Sequence, residues 1–152
     1  QIYIFEMGYR INGNNDYRVI DRMNGLNFMK MMIAYSLCGN MLDDVSKDDP
    51  QFAQFACTLL YYAHEGMVGE FAIEKAMNHP RITHAIPNVW EGRKLVEDGS
   101  TAQNVLKLKI LGNTITDVVE TVDFCNKNVV VKDINGKDML FKRFNPEKLL
   151  TR

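Results

Sequence analysis

The sequence predicts an α+β chain: a strand, a polar loop and a helix first, then a mainly antiparallel sheet with helices packed on one side. Three observations predict it. Residues 2–7 are almost continuously apolar, as in a strand covered on both faces. From residue 54 onward, short apolar runs alternate with Gly, Pro and Asn turns, and two short helical patterns lie among them. The strands of this second part carry one polar face, which suits a single sheet with helices against the other.

Size and charge narrow the function classes. The chain has 152 residues, about one domain by length. Its 46% hydrophobic and 24% charged residues are ordinary for a globular protein and unlike a disordered tail or a fibre. The formal charge of −1 supplies no electrostatic reason to bind nucleic acid or an anionic membrane. No apolar run approaches the ~20 residues needed to span a bilayer. Residues 1–5 lack the basic region and cleavage site of a signal peptide. Cys38, Cys57 and Cys125 are odd in number and form no CxxC or Cys/His cluster. Neither a disulfide framework nor a structural zinc site is therefore expected, and reduced cytosol is the expected compartment.

The elements follow in order. The chain opens with Gln1 and enters an apolar run directly, which predicts the C-terminal part of a longer polypeptide. The first strand ends around Glu6, Gly8 and Arg10, and a polar loop covers 12–16. A helix is expected after Asn24-Gly25, with Leu26, Met29, Ile33 and Leu37 as its apolar stripe and Gly39 just past its end. Met23, Met29, Met31 and Met32 crowd this region, as core-packing residues or, alternatively, as an adaptable binding surface. The Asp-rich stretch 40–50, ending at Pro50, reads as the boundary between two parts, 1–45 and 51–152.

In the second part, 54–63 and 67–73 read as a hairpin around His64-Glu65-Gly66. A short helix at 74–79 stops at Pro80, and 82–90 is a strand whose Pro87 marks an edge or a bulge. Glu91-Gly92 is a turn. Residues 105–111 alternate, with Lys107 and Lys109 expected to face water. Thr114 and Asp117 form a capping-box start for a helix bearing Ile115, Val118, Val119 and Val122 on one face. A strand at 129–131 turns back at Asn135-Gly136 through 139–141, and Asn145-Pro146 caps a last short helix.

Glu6 and Arg10 are the candidate chemistry. A carboxylate at the end of a buried strand needs a cation or several donors. Arg10 lies four residues on, and a loop rich in Gly and Asn follows. Two readings fit. In one, Glu6 holds Mg²⁺, Arg10 neutralises phosphate oxygens, and the loop offers backbone donors to a polyphosphate. In the other, Glu6 and Arg10 are an ion pair closing the strand end.

The stretch Tyr3-Ile4-Phe5-Glu6-Met7-Gly8-Tyr9-Arg10 resembles the late strand of the ATP-grasp superfamily, as in biotin carboxylase and the large subunit of carbamoyl-phosphate synthase. That strand carries Glu-x-Asn-x-Arg; Glu6 and Arg10 match it, whereas Gly8 stands where the asparagine would be. One metal-coordinating side chain of the pattern is thus missing, and Asn12 or Asn14 is the nearest substitute. The helix ending at Gly39 is similar to the helix after this strand. The order of turns and strands from Glu65-Gly66 to Gly112-Asn113-Thr114 resembles the accessory C-terminal region of several ATP-grasp ligases.

The resemblance implies the end of an ATP-grasp catalytic domain at 1–45 and an accessory α+β domain at 51–152. It implies a ligase that uses ATP and Mg²⁺ to join a small carboxylate to an amine through an acyl phosphate, in the manner of phosphoribosylamine–glycine ligase and its relatives. Glu6 would be the metal ligand, Arg10 the catalytic and phosphate-binding cation, and Asn12 and Gly13 further nucleotide-binding positions. The family's nucleotide-clamping lysines lie upstream of this strand, so the N-terminal portion of the same polypeptide is the expected partner. The 152-residue chain alone is expected to be inactive. A homo-oligomer is compatible with this reading. The competing class is a non-catalytic binding or oligomerisation module in which Glu6 and Arg10 are structural.

Other residues have plainer readings. His64, His79 and His84 share no ligand spacing, and the cysteines read as core or half-buried residues. Trp90 reads as a domain or subunit contact, or as core. Asp16 and Tyr17 line the loop, either toward substrate or as ordinary polar loop residues.

Overall fold

A computed structural model describes residues 13–41, 51–99 and 101–151. The chain divides into two units, Gln1–Ala53 and Gln54–Arg152. Among the described residues it is α+β, with four α-helices and two three-stranded antiparallel sheets. None of these helices is long and apolar enough to cross a membrane.

The first unit contains α1 (Tyr17–Asn24) and α2 (Phe28–Cys38). The expected loop ends at Asp16, and α1 is an addition to the sequence-based reading. Asn24-Gly25 closes α1 rather than opening α2: Gly25 has φ 78° and donates its N–H to the Asp21 carbonyl. Asn27 then caps α2, its side chain accepting from the Lys30 N–H at 3.0 Å. A second link between the helices runs from Asn27 Nδ2 to Asp21 Oδ2 at 3.1 Å.

The end of α2 lies at Gly39, as its sequence signal implies. Its buried face is different from the expected one. Leu26, Met31 and Ala34 are buried, whereas Met29, Ile33 and Leu37 are exposed. Nearly every α2 residue is apolar, so periodicity alone could not choose a side. The methionines divide the same way: Met31 is core, while Met29 and Met32 face outward.

The second unit is built around β5 (Asn104–Gly112), the centre of a sheet ordered β1–β5–β3. β1 (Phe55–Tyr62) pairs with β5 from Phe55 opposite Gly112 to Tyr62 opposite Asn104. β3 (Ile82–Pro87) pairs along the other edge, with Pro87 at its end. A second sheet, ordered β4–β2–β6, joins β2 (Gly66–Ala72), β4 (Lys94–Leu95) and β6 (Val130–Asp133).

The expected 54–73 hairpin and single sheet are therefore corrected. β1 and β2 are consecutive but belong to different sheets. β5 offers β1 a partner along its whole length, so the backbone groups of β1 are satisfied without β2. After Tyr62 the chain passes to the 139–141 segment: Phe141 N–H donates to the Tyr62 carbonyl and His64 N–H to that of Met139. On β2, Gly69 permits a close approach at a bulge. A Cβ there would lie 2.6 Å from the Asp133 carbonyl oxygen.

The core lies between the first sheet and α4 (Ile115–Asn128). Leu59 and Tyr61 of β1 join Leu106, Leu108 and Ile110 of β5 on the inner face. Tyr61 Oη reaches α4 itself, donating to Asn126 Oδ1 at 3.0 Å. From α4 come Val118, Thr121, Val122 and Cys125. Ile115 and Val119 are only half-buried, so the contact stripe lies to one side of the expected one. The Thr114–Asp117 capping box is present in both directions. α3 (Glu74–Met77) packs against α4 and β3. The Asn135-Gly136 turn and the Asn145 cap also stand where expected, the last helix being a single 3-10 turn at Pro146–Leu149.

Candidate functional site

Glu6, Arg10 and Asn12 lie outside the described residues. Gly13, the remaining expected nucleotide-binding position, is described. It sits in an exposed turn, and a Cβ there would meet nothing within 4 Å. Asn14 beside it is also exposed.

The same turn leads into α1. Asn15 adopts a left-handed conformation, φ 59°, which asparagine tolerates better than most residues. The Asn15 carbonyl accepts from the Arg18 N–H, and the Asp16 carbonyl accepts from those of Val19 and Ile20. The first turn of α1 thus spends these donors on its own backbone. Tyr17 and Arg18 form a polar pair, with Arg18 Nε donating to Tyr17 Oη at 3.3 Å. Arg18 is exposed, a cation next to the expected phosphate-binding loop that spacing alone had not singled out.

A different constellation lies on the first sheet. Thr58, Lys109 and His84 occupy directly opposed positions on β1, β5 and β3, so they form a row across one face. Lys109 was expected to face water but is completely buried, a correction to the sequence-based reading. Its Nζ donates to Thr58 Oγ1 at 2.8 Å. Lys107 is half-buried. Alternation identifies the strand face that bears a side chain, but not what lies over that face.

The ionisable groups nearby follow from burial. Burial raises the Cys57 thiol above its ordinary value, and the positive charge of Lys109 opposes part of that rise. Burial also raises Cys125, with the neighbouring Cys57 adding to it, to about 11. Both thiols are therefore protonated at neutral pH, and thiolate chemistry is disfavoured there. Tyr61 is likewise pushed up by burial, with Cys125 reinforcing and Arg143 opposing the shift.

The other histidines have local packing partners. His64 meets the Phe141 ring edge-on at 4.2 Å between centroids. His79 lies 4.8 Å from the Phe124 ring and accepts the Arg81 N–H at Nδ1. Burial lowers the pKa of His79, and Arg81 lowers it further. Among the described residues, no group of three His, Cys, Asp or Glu side chains could hold a metal ion. Trp90 is exposed, with the Arg93 guanidinium 5.0 Å above its ring. Asp117 carries a structural network: it accepts from the N–H groups of Asn113 and Thr114 and pairs with Arg81, which also reaches Glu120. No family model matches the chain, and no curated protein or solved structure matches it either.

Proposed function

We propose that the chain is the C-terminal part of an ATP-grasp ligase that couples ATP cleavage to joining a small carboxylate and an amine or related nucleophile. The observation that carries this is the Glu6–Gly8–Arg10 pattern at the end of an apolar run, followed by Asn12, Gly13 and Asn14. Glu6 would hold Mg²⁺, Arg10 would neutralise the transferring phosphoryl group, and Asn12 and Gly13 would face the nucleotide phosphates. Mg²⁺ supplies Lewis-acid stabilisation of phosphate charge. The exposed turn at Gly13 and Asn14 and the capped helix ending at Gly39 are compatible with this reading. A cytoplasmic location accompanies it, supported by three free cysteines.

The test is Mg²⁺-dependent ADP release by the full polypeptide that carries this chain, with a panel of carboxylates and amines. Glu6→Gln is expected to lower carboxylate-dependent turnover on the order of 10²-fold or more, as when a charge-stabilising group is removed. Unchanged turnover would reduce Glu6 to a structural residue. The 152-residue chain alone is expected to show no turnover.

A second reading, a non-catalytic binding or oligomerisation module, is favoured by Gly8 in place of a metal-binding side chain and by the exposed apolar face of α2. Absence of nucleotide binding by the full polypeptide would select it.

A further inference from the structure

The last part of the second unit is tied to it more lightly than any strand of the first sheet. Phe141 still pairs with the body of the fold, its N–H donating to the Tyr62 carbonyl. Beyond it, among the described residues, 142–151 make backbone hydrogen bonds only with themselves: Lys148 N–H donates to the Asn145 carbonyl and Leu150 N–H to that of Glu147. The Pro146–Leu149 turn packs on α4, and Leu149 is half-buried against the core.

One polar contact fastens this strap to the helix. Asn126 Nδ2 donates to the Phe144 carbonyl at 2.9 Å, while Asn126 Oδ1 accepts from Tyr61 Oη at 3.0 Å. A side-chain amide offers a donor and an acceptor at fixed spacing, so the two ends of one group join the strap to the sheet through α4. Tyr61 is buried, and it orients that amide from inside.

Closure of the strap also carries a cost. Arg143 Nη1 reaches Asp138 Oδ2 at 3.2 Å, but Arg143 Nε is buried with no acceptor. Its N–H gives up hydration on closure without a replacement bond, and lifting the strap returns that hydration. The Arg143–Asp138 pair is partly exposed on both sides and offsets little of this.

We propose that residues 142–151 are a detachable strap, latched by Asn126 and weakened at Arg143, that lifts from α4 as one piece while the sheet and α4 stay folded. Segments with few buried contacts and few backbone bonds to the body open at low free energy, whereas core elements open only with global unfolding. Lifting bares the seat of Leu149 on the core, so the strap is an intramolecular cover over an apolar site. The proposal does not rest on the ligase reading.

Trypsin digestion of the native 152-residue chain, with each cut assigned by mass spectrometry, tests it. Cleavage after Lys142, Arg143 or Lys148 requires the strap to lift, and cleavage after Lys107 or Lys109 requires β5 to open. Both rates follow the open populations when reclosing is fast. The wild-type strap is expected to be cut on the order of 10²-fold faster than β5. Asn126→Ala and Tyr61→Phe both remove the Tyr61–Asn126 bond, but only Asn126→Ala removes the tie to Phe144. Strap cleavage is expected to be about tenfold faster in Asn126→Ala than in Tyr61→Phe, the worth of one hydrogen bond. The β5 cuts report whether either variant has lost its core. Arg143→Met keeps a linear stem without the buried N–H and is expected to slow cleavage after Lys148 about threefold. Equal strap and β5 rates in the wild-type chain overturn the proposal. Equal strap rates in Asn126→Ala and Tyr61→Phe, or faster cleavage in Arg143→Met, overturn it as well.

Discussion

Lys109 is a buried cation in the middle of a sheet, and its surroundings must repay the loss of hydration. The bond to Thr58 Oγ1 is one such partner. Removing the side chain takes away the ammonium, its hydrogen bonds and a four-carbon stem that fills space. Lys109→Ala is expected to cost about 2–4 kcal/mol of folding stability, the sum of a cavity and lost polar partners. Lys107 lies two residues away on the same face and is only half-buried. Lys107→Ala is expected to cost less than about 1 kcal/mol. Urea denaturation of the two variants measures the contrast. Equal losses would show that burial of Lys109 contributes nothing specific.

At the scale of an element, α4 begins with a network joining its first turn to the strand before it. The carboxylate of Asp117 accepts from the Thr114 and Asn113 N–H groups, and Arg81 approaches from outside α4. Hydrogen bonding from Thr114 is the main influence holding the Asp117 carboxyl below the ordinary carboxylate range; Arg81 adds to it and burial opposes it. A carboxyl depressed in the folded state stabilises the fold above its unfolded value. That contribution is lost as pH falls through the folded value. The expected outcome is a wild-type chain that loses stability between about pH 5 and pH 2. Asp117→Asn should start lower at neutral pH and show a shallower loss over that window, since an amide does not titrate. The midpoint of urea unfolding at several pH values measures this. Parallel pH profiles for the two proteins would remove Asp117 from the account. Asp133 is depressed as well, chiefly by the Lys137 N–H, so the slope of the variant stays above zero.

At the scale of the whole molecule, the strands of the second unit differ in how well they are held. β5 is paired on both edges and packed under α4, whereas β4 is two residues long and pairs only with β2 among the described strands. Amide hydrogens of β5 are therefore expected to exchange most slowly and those of β4 among the fastest, because opening β5 breaks the core. Hydrogen exchange followed by mass spectrometry gives the order. Equal rates in β4 and β5 would contradict a core centred on β5 and α4.

Much of the local structure was legible in the residues themselves. The caps at Thr114, Asn145 and Gly39 and the stop after α3 all depend on contacts within a few residues. α1 has an amphipathic pattern, but over only eight residues and with a single buried side chain, Val19, which is too short a run to stand out from the polar loop before it. The Glu6 and Arg10 pattern is legible only as a sequence feature, since both residues lie outside the described structure.

By itself, then, the sequence determined where most elements of the second unit start and stop, and which residue types could serve phosphate and metal chemistry. Only the tertiary structure decided that β1 and β2 part into different sheets, that Lys109 is interior, and that α2 shows Ile33 and Leu37 to the outside. Capping and turn formation are short-range and are written in neighbouring residues. Strand pairing and burial depend on partners such as Thr58 and Lys109, far apart in the chain, and a single strand or helix carries no record of what will lie against each face.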